Sequence, residues 1–356
     1  MNPYLLSLGW NDTFASHAMP YLEQGMEVGR IALEHKRMYR IFTAHGELLG
    51  EVSGKLRYEA AGREDYPAVG DWVVISPRPE EKRATIHAIL PRRSKFSRKA
   101  AGSGVEEQIV AANVDTVFLV NALNNDYNLR RLERYLILAW ESGANPVIVL
   151  SKADLCADLA ARIAEVEAVA VGVPVHAISS ELGQGLDALA PYLGGGQTVA
   201  LLGSSGVGKS TLINRLAGKD LQQVKEVRAG DDRGRHTTTH RELFQLSGGG
   251  LMIDTPGMRE LQLWEGDEGF RDAFDDVETL AASCRFHDCQ HQKEPGCAIR
   301  LAIEDGRLER SRYDSYRKLQ RELAHQARKE DAALRAAEKE KWKKIHKSLR
   351  HTKPKR

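Results

Sequence analysis

A glycine-rich loop between an apolar strand and a helix constrains this chain more than any other feature. The loop follows the apolar run 198–202 and leads into the helical pattern 211–216. Its sequence is Gly203, Ser204, Ser205, Gly206, Val207, Gly208, Lys209, Ser210 and Thr211. This spacing is typical of a P-loop, whose backbone N–H groups and helix N-terminus bind phosphate oxygens. We expect nucleotide binding, with Lys209 at the β- and γ-phosphates and the Ser210 hydroxyl on Mg²⁺.

The segments around this loop alternate between buried strands and helices. Apolar runs at 114–120 and 145–150 indicate buried strands of the parallel type, and 173–178 is expected to form a further strand. Apolar residues at helical spacing occupy Leu129–Ser142, and helices are also expected at about 157–170 and 185–193. Two further strands, Glu242–Leu246 and Leu251–Asp254, follow the loop. This alternation predicts a doubly wound α/β sheet with its ligands at the carboxyl ends of the strands.

The N-terminal third of the chain has a different pattern. Short strand signals separated by turns lie at 38–43, 50–53, 71–75 and 84–90. They predict a small β-barrel of the OB-fold type, a fold that commonly binds nucleic acid. Residues 1 to about 30 show no clear period and read as a weakly determined arm, and residues 91–112 read as a linker.

Charge and length narrow the class of protein. A chain of 356 residues is expected to form two or three domains. The net charge is only +2, but basic residues cluster at 92–99 and again at 341–356, which favours a polyanionic partner. The N-terminus does not resemble a signal peptide, and no apolar run approaches the ~18 residues that span a bilayer. We therefore expect a cytoplasmic protein without a membrane partner.

A second loop indicates which nucleotide is bound. Ser151, Lys152, Ala153 and Asp154 follow a buried strand, and Ser179 and Ser180 follow the next one. A carboxylate at Asp154 can accept hydrogen bonds from N1 and N2 of guanine, and the Lys152 stem can lie along the base. The pattern favours guanine over adenine, while a P-loop ATPase or kinase remains the alternative.

A cluster of cysteines and histidines near the C-terminus has the spacing of a metal site. Cys284, Cys289, His291 and Cys297 offer three thiolates and an imidazole, and His287 is a competing donor. Four such ligands predict one structural zinc ion, since thiols in a reducing compartment more often bind metal than form disulfides.

The order of these motifs resembles a known family. The base-reading motif and the loop at 178–180 precede the P-loop, and the threonines at 237–239 and Asp254-Thr255-Pro256-Gly257 follow it. With a β-domain before and a Cys/His cluster after, this order is similar to that of the circularly permuted small-ribosomal-subunit biogenesis GTPases, the RsgA family. The resemblance implies an OB-fold, a permuted GTPase and a C-terminal zinc module. The expected divisions are an N-terminal arm 1–33, a barrel 34–95, a GTPase domain 96–270 and a zinc-binding helical domain 271–356.

The resemblance also assigns roles at the phosphates. It implies that Asp254 positions Mg²⁺ through water, that the Gly257 N–H approaches the γ-phosphate, and that Thr238, or else Thr239, closes on Mg²⁺. In the zinc module it favours His291 over His287 as a ligand. Ser151 stands where such GTPases usually have Asn or Thr. Serine keeps a hydroxyl but lacks the reach of the asparagine amide toward the P-loop and the base, so a lower affinity for the nucleotide is expected.

The residue that orients the attacking water is left open. Met258 occupies the position of the glutamine in Ras-like GTPases, and methionine cannot orient water. His236, just before the threonines, is the nearest candidate base in sequence, and an exposed histidine without a role is the alternative.

These patterns predict a monomeric GTPase that converts GTP to GDP and phosphate, slowly alone and faster on its partner. The partner is the 30S subunit with its 16S rRNA, and hydrolysis would act as a switch in late subunit maturation. An RNA-binding scaffold with a structural, non-cycling nucleotide site is the rival reading. Because 254–258 leads into the zinc domain, GTP is also expected to reorient that domain and the basic tail, where Trp342, Ile345 and Leu349 share one helical face.

Overall fold

The computed structural model describes residues 2–99, 107–218, 241–254 and 267–324. Its helices are α1 (Pro3–Ser7), α2 (Asp12–Leu22), α3 (Gly54–Glu59), α4 (Leu129–Ser142), α5 (Leu159–Val169), α6 (Lys209–Ala217), α7 (Asp267–Ala273), α8 (Asp275–Ala282), α9 (Ala298–Glu304) and α10 (310–324). Its strands are β1 (Glu27–His35), β2 (Met38–Thr43), β3 (Gly46–Val52), β4 (Trp72–Arg78), β5 (Arg83–Ile89), β6 (Lys95–Lys99), β7 (Glu107–Ala112), β8 (Thr116–Ala122), β9 (Asn145–Ser151), β10 (Val175–Ala177), β11 (Thr198–Leu202), β12 (Glu242–Gln245) and β13 (Leu251–Asp254).

The first five strands form a closed barrel, as expected for the N-terminal β-domain. Their order is β1-β2-β3-β5-β4, and β4 pairs back onto β1. The interior is apolar, with Ile31, Ile41 and Ile75 fully buried. Closure leaves no free edge between β1 and β4, which is how small barrels satisfy their backbone hydrogen bonds.

The expected limits of the N-terminal arm and the barrel were wrong. β1 begins at Glu27, so the boundary at 34 falls inside a strand. Residues 3–22 form two helices, each capped by an asparagine whose side chain accepts an N–H of the first turn. Trp10 and Phe14 pack against Trp72 of the barrel, with ring centroids 4.7 and 5.9 Å away. This packing holds residues 3–22 against the barrel. Helices this short show too little periodicity for the sequence to reveal it.

The region read as a linker contains a hairpin instead. β6 and β7 pair antiparallel, with Lys95 opposite Ala112 and Lys99 opposite Glu107. Phe96 on β6 and Val110 and Ala111 on β7 are buried. The basic and Gly/Ser-containing composition of this region suggested a linker, because it draws attention away from the few apolar residues that pack into the fold.

The central sheet has the doubly wound form that the alternating pattern predicts. In the described residues its order is β10-β9-β8-β11-β13-β12, and all neighbours are parallel except β12 and β13. The helix α4 covers one face with a row of buried apolar side chains, and α6 follows the P-loop on the other. The parallel strands bring their carboxyl ends to one edge, where ligands bind in sheets of this type.

Arg30 on β1 joins the barrel to the central sheet. It is 2% exposed, and burial lowers its pKa to about 10, so it is still charged at neutral pH. Its guanidinium donates four hydrogen bonds, to the Gly70, Leu8 and Asn113 carbonyls and to the Thr198 hydroxyl. Because Thr198 starts the strand that carries the P-loop, the barrel is fixed to the base of that strand.

A second contact between barrel and sheet lies further along β1. Leu33 pairs with Glu242 at the start of β12, and Arg40 of β2 forms an ion pair with the Glu242 carboxylate. β12 directly follows the threonine segment of the sequence, so this contact touches the strand that a nucleotide-sensing loop would enter.

The C-terminal helices are attached to α4. Glu133, with no exposed side-chain area, accepts from Arg312 at 2.8 Å and from Ser315 at 2.5 Å, and Arg312 also pairs with Asp276 at 2.9 Å. Gly269 lies so close to α4 that a Cβ there would meet the Ile137 carbonyl oxygen at 2.8 Å. The attachment is therefore to the central sheet's covering helix, and the expected reorientation of this unit by nucleotide stays a prediction.

The described helices include none with the length and apolar character needed to cross a membrane.

Candidate nucleotide and metal sites

The P-loop has the backbone conformation that phosphate binding requires. Gly206 and Gly208 have φ angles of +78° and +95°, a region that only glycine adopts without strain. A Cβ on Gly203 would meet the Val120 carbonyl oxygen at 2.5 Å, so the loop starts hard against β8. Because α6 begins at Lys209, the N–H groups of the loop and of the helix N-terminus converge on one side.

Lys209 lies across the mouth of this loop. Its Nζ donates to the carbonyl oxygens of Gly203 at 2.8 Å and of Ser204 at 2.7 Å. An ammonium held there on a flexible stem is within reach of phosphate oxygens that enter the loop, which is the role the spacing predicts.

Ser151 connects the expected base-reading loop to the P-loop. Its hydroxyl, 3% exposed, donates to the Val207 carbonyl at 2.6 Å. The serine hydroxyl therefore reaches the P-loop directly, and the expected loss of nucleotide affinity stays a prediction. Lys152 next to it adopts a left-handed conformation (φ +58°), and Asp154 lies exposed in the following 3₁₀ turn, Ala153–Leu155. The turn leaves the Asp154 carboxylate accessible to a ligand.

The second loop of the expected base site is held against the first and against α6. The Ala153 N–H donates to the Ile178 carbonyl at 3.0 Å, and Arg215 of α6 donates to the Ser180 and Glu181 carbonyls at 2.8 Å each. The Ser180 side chain is 8% exposed, yet its Oγ has no hydrogen-bond partner among the described residues. A buried hydroxyl left unsatisfied at the edge of a site fits the presence of a polar ligand there.

Four residues outside the P-loop were expected to act in hydrolysis, His236, Thr238, Asp254 and Gly257, and the structure describes only Asp254. Asp254 ends β13, which pairs in parallel with the P-loop strand at Ile253 and Ala200. This register brings Asp254 to the edge of the sheet where the P-loop lies. His236, Thr238 and Gly257 lie outside the described residues, so their roles stay predictions.

Sequence reasoning missed two charged residues beside the P-loop. Asp126, in the loop after β8, accepts from the Ser204 hydroxyl at 2.5 Å and pairs with Arg131 at 2.9 Å. The sequence offered one indication of Asp126, its position in a loop directly after a parallel strand. Such loops lie at the same edge of the sheet as the P-loop.

Four side chains form the predicted metal cluster. The sulfurs of Cys284, Cys289 and Cys297 and a ring nitrogen of His291 all lie within 4.8 Å of one another. His291 Nδ1 is 3.5 Å from the sulfurs of Cys284 and Cys297, and those sulfurs are 4.0 Å apart. Usual zinc bond lengths give tetrahedral edges of about 3.6 Å for S–N and about 3.8 Å for S–S. The cluster therefore fits a closed tetrahedral zinc site.

His291, and not His287, belongs to this cluster. His287 is exposed and contributes no atom to it, whereas the ring of His291 packs edge-on against Tyr313 at 6.1 Å. Partial burial, together with nearby Arg317, lowers the pKa of His291, which favours the neutral imidazole that binds metal.

The basic cluster at 92–99 is largely engaged within the protein. Arg92 makes a two-pronged bond to Asp71, Arg93 pairs with Asp115, and Lys95 pairs with Glu107. These contacts link the barrel and the hairpin. Because the charges are already paired, this cluster is weaker evidence for a polyanionic partner than the sequence alone indicates. A different basic cleft of about 320 Å³ lies at the side of the barrel, lined in part by Lys36, Arg37, Arg63, Tyr39 and Tyr66.

Comparisons with known proteins agree with this geometry. The family model described as RsgA GTPase matches residues 89–264, and one described as 50S ribosome-binding GTPase matches residues 198–332. The small ribosomal subunit biogenesis GTPase RsgA of Opitutus terrae is 51% identical over 355 residues, which is 97% of each chain. RsgA 2 of Lactiplantibacillus plantarum is 52% identical over 304 residues, 85% of each chain.

Solved structures show the same arrangement of domains. YjeQ from Thermotoga maritima superposes with a TM-score of 0.64 at 28% identity, covering 84% of this chain and 99% of that one. YloQ, described as a circularly permuted GTPase, superposes with a TM-score of 0.61 at 25% identity, covering 84% and 96%. The barrel, the permuted sheet and the C-terminal helical unit thus form a known architecture.

Proposed function

This chain belongs to the RsgA family of small ribosomal subunit biogenesis GTPases, and we propose that it hydrolyses GTP while bound to the small subunit. Hydrolysis to GDP and phosphate would act as a timing step in late maturation of that subunit. The observation that carries this proposal is the Ser151–Val207 hydrogen bond, which holds the base-reading loop against the P-loop in permuted order.

We assign guanine recognition to the two loops that follow β9 and β10. Asp154 would accept from N1 and N2 of guanine, and the stem of Lys152 would cover the base. Ala153 and Ser179 shape the pocket through backbone contacts, and the unsatisfied Ser180 hydroxyl is available to the base. Support comes from the contacts that hold both loops to the P-loop and its helix.

We assign the phosphates to the P-loop residues 203–211 and the magnesium ion to Ser210 and Thr238. The ion would supply charge neutralisation at the β- and γ-phosphates. Lys209 would leave the loop carbonyls for the phosphate oxygens, and Asp254 at the end of β13 would orient the ion's water shell. The Gly257 N–H is assigned to the γ-phosphate.

Hydrolysis is expected to be slow without a partner. Methionine stands at position 258, where a water-orienting glutamine would serve, and His236 is the proposed base. A change brought about by the small subunit would then be needed to complete the site.

The remaining parts of the chain are proposed to serve binding. The four ligands Cys284, Cys289, His291 and Cys297 would hold one structural zinc ion, whose binding free energy contributes to folding of the C-terminal unit. The barrel would contact 16S rRNA, and the basic residues at 341–356 would add phosphate contacts. We expect a monomer that acts in the cytoplasm, where this partner is assembled.

GTP turnover measured with and without purified 30S subunits tests the proposal. We expect low intrinsic turnover and a rate at least tenfold higher with subunits; each tenfold corresponds to about 1.4 kcal/mol of barrier. Unchanged turnover would favour the rival reading, a scaffold whose nucleotide site only stabilises the fold.

A specificity variant tests the base assignment separately. Asp154→Asn should lose GTP turnover and gain turnover of xanthosine triphosphate, because the amide matches the xanthine edge. The exposed neighbour Asp158 caps α5 and provides a matched control, since Asp158→Asn removes the same charge outside the pocket. Competition by ATP in the wild-type protein would contradict the guanine assignment.

A further inference from the structure

The loop between β8 and α4 places a carboxylate directly beside the phosphate-binding loop. The Asp126 Oδ2 accepts from the hydroxyl of Ser204, the second residue of the P-loop, at 2.5 Å. Ser204 is 8% exposed, and its carbonyl oxygen accepts from Lys209 at 2.7 Å. Ser204 is therefore held between an anion on one side and the phosphate-binding lysine on the other.

The position of Asp126 is fixed by the loop that carries it. The Asn124 side chain accepts from the Asp126 N–H at 3.1 Å, and the Asn124 carbonyl accepts from Tyr127 at 2.9 Å. Asn128 caps α4 by accepting from the Arg131 N–H at 2.9 Å. These local hydrogen bonds restrict the conformation of the loop and hold the Asp126 carboxylate in its position beside the P-loop.

Arg131 neutralises this carboxylate. Its guanidinium pairs with Asp126 Oδ2 at 2.9 Å and also donates to the Asp126 carbonyl. Both side chains are between a quarter and a third exposed, so the pair is partly screened from solvent. A carboxylate at this place would otherwise repel the phosphates of a bound nucleotide, and it would repel a triphosphate more than a diphosphate.

We propose that Asp126 and Arg131 are positioning residues for the nucleotide phosphates. Asp126 fixes the start of the P-loop through Ser204, and Arg131 cancels the charge of Asp126 so that the loop accepts the additional charge of the γ-phosphate. This inference rests on the proposed binding of GTP and GDP at the P-loop. It assigns no group to the reacting atoms, since both residues act through Ser204 and through the local potential.

The test is a pair of charge-removing substitutions and their combination. Arg131→Gln should weaken GTP binding by about tenfold and GDP binding by clearly less, because it leaves Asp126 uncompensated beside the phosphates. Asp126→Asn should bind GTP at least as tightly as the wild type, since the amide oxygen can still accept from Ser204. The double variant should recover wild-type affinity for both nucleotides.

Affinities would be measured with fluorescent GTP and GDP analogues at low and at high salt. The GTP-specific loss in Arg131→Gln should shrink at high salt, because the repulsion is electrostatic. Arg134→Gln is the matched control. Arg134 lies one turn further along α4 and forms an exposed ion pair with Glu322, so the substitution removes the same charge away from Asp126. It should bind both nucleotides like the wild type.

The outcomes separate this inference from the proposed function. Equal losses of GTP and GDP in Arg131→Gln, or no recovery in the double variant, would overturn the inference and indicate a purely structural tie. A wild-type protein that binds neither analogue would instead overturn the proposed function. Thermal unfolding of each variant identifies a loss that comes from misfolding, and in that case Arg131→Lys, which keeps the charge, should retain the wild-type preference.

Discussion

Replacing Arg30 with methionine measures how strongly the barrel is attached to the GTPase sheet. The substitution keeps the length of the apolar stem but removes all four hydrogen bonds of the guanidinium. Three backbone carbonyls, of Leu8, Gly70 and Asn113, and the Thr198 hydroxyl would then lose their shared donor. The contact of Arg30 with the Trp72 ring, 5.7 Å from its centroid, would also be lost.

The expected cost follows from the burial of these groups. The Gly70 carbonyl keeps the Asn113 side-chain amide as a donor at 3.2 Å, so the variant leaves the Leu8 and Asn113 carbonyls and the Thr198 hydroxyl without the Arg30 donor. Each buried acceptor left without a donor costs about 1–3 kcal/mol, and removing the charge recovers part of its own desolvation penalty. We therefore expect Arg30→Met to lower the free energy of unfolding by about 3–5 kcal/mol. With a urea m-value of about 3 kcal/mol/M, the midpoint should fall by about 1–1.7 M.

Urea unfolding followed by tryptophan fluorescence provides the assay, because Trp10 and Trp72 lie in this interface. Arg83→Met is the control: Arg83 lies 3.6 Å from Glu51, and both side chains are more than half exposed, so its loss should cost less than about 1 kcal/mol. If the two variants shifted the midpoint equally, the hydrogen bonds of Arg30 would not be what holds the barrel in place.

Three further predictions concern the metal, the nucleotide and pH. His291→Ala should lose bound zinc by elemental analysis and unfold more readily, whereas His287→Ala should keep both metal and stability; the reverse result would reassign the ligand. Ser151→Ala should weaken GDP binding about fivefold by titration calorimetry, since it removes one bridging hydrogen bond worth about 1 kcal/mol, and an unchanged affinity would contradict the bridging role. Burial lowers the pKa of His176, so the folded state takes up its proton less readily than the unfolded state does. Stability should therefore fall as pH drops below about 6.5, and His176→Gln should reduce this dependence in pH-stepped thermal melts, whereas an unaltered pH dependence would contradict the assignment.

The sequence was sufficient for the parts of the fold with strong local patterns. Helix Leu129–Ser142 and strand Thr198–Leu202 have the predicted limits, because long amphipathic helices and buried strands next to a P-loop carry clear periodicity. The family and its permuted architecture were confirmed, since the order of several motifs is far more specific than any one of them.

Other features depend on contacts between distant residues and could not be predicted. The N-terminal helices are short, and their burial depends on Trp72, which lies some sixty positions later in the chain. The contact between Asp126 and Ser204 joins residues 78 positions apart, and no spacing rule indicates it. Similarly, the basic cluster that contains Arg92 and Arg93 favoured a polyanionic partner in the sequence. The acidic residues that pair with them, Asp71 and Asp115, lie more than twenty positions away in the chain.

The apolar interior crosses every boundary between the units of this protein. One continuous cluster runs from Leu8 and Trp10, through Val74 of the barrel and Leu136 of α4, to Tyr316 of α10. An excised barrel or an excised GTPase sheet would therefore expose a large apolar surface to water, and β12 would lose its pairing with β1 at Leu33 and Glu242. Recombinant fragments cut at the apparent boundaries should consequently precipitate or self-associate, and studies of the individual units will need surface redesign or the intact polypeptide.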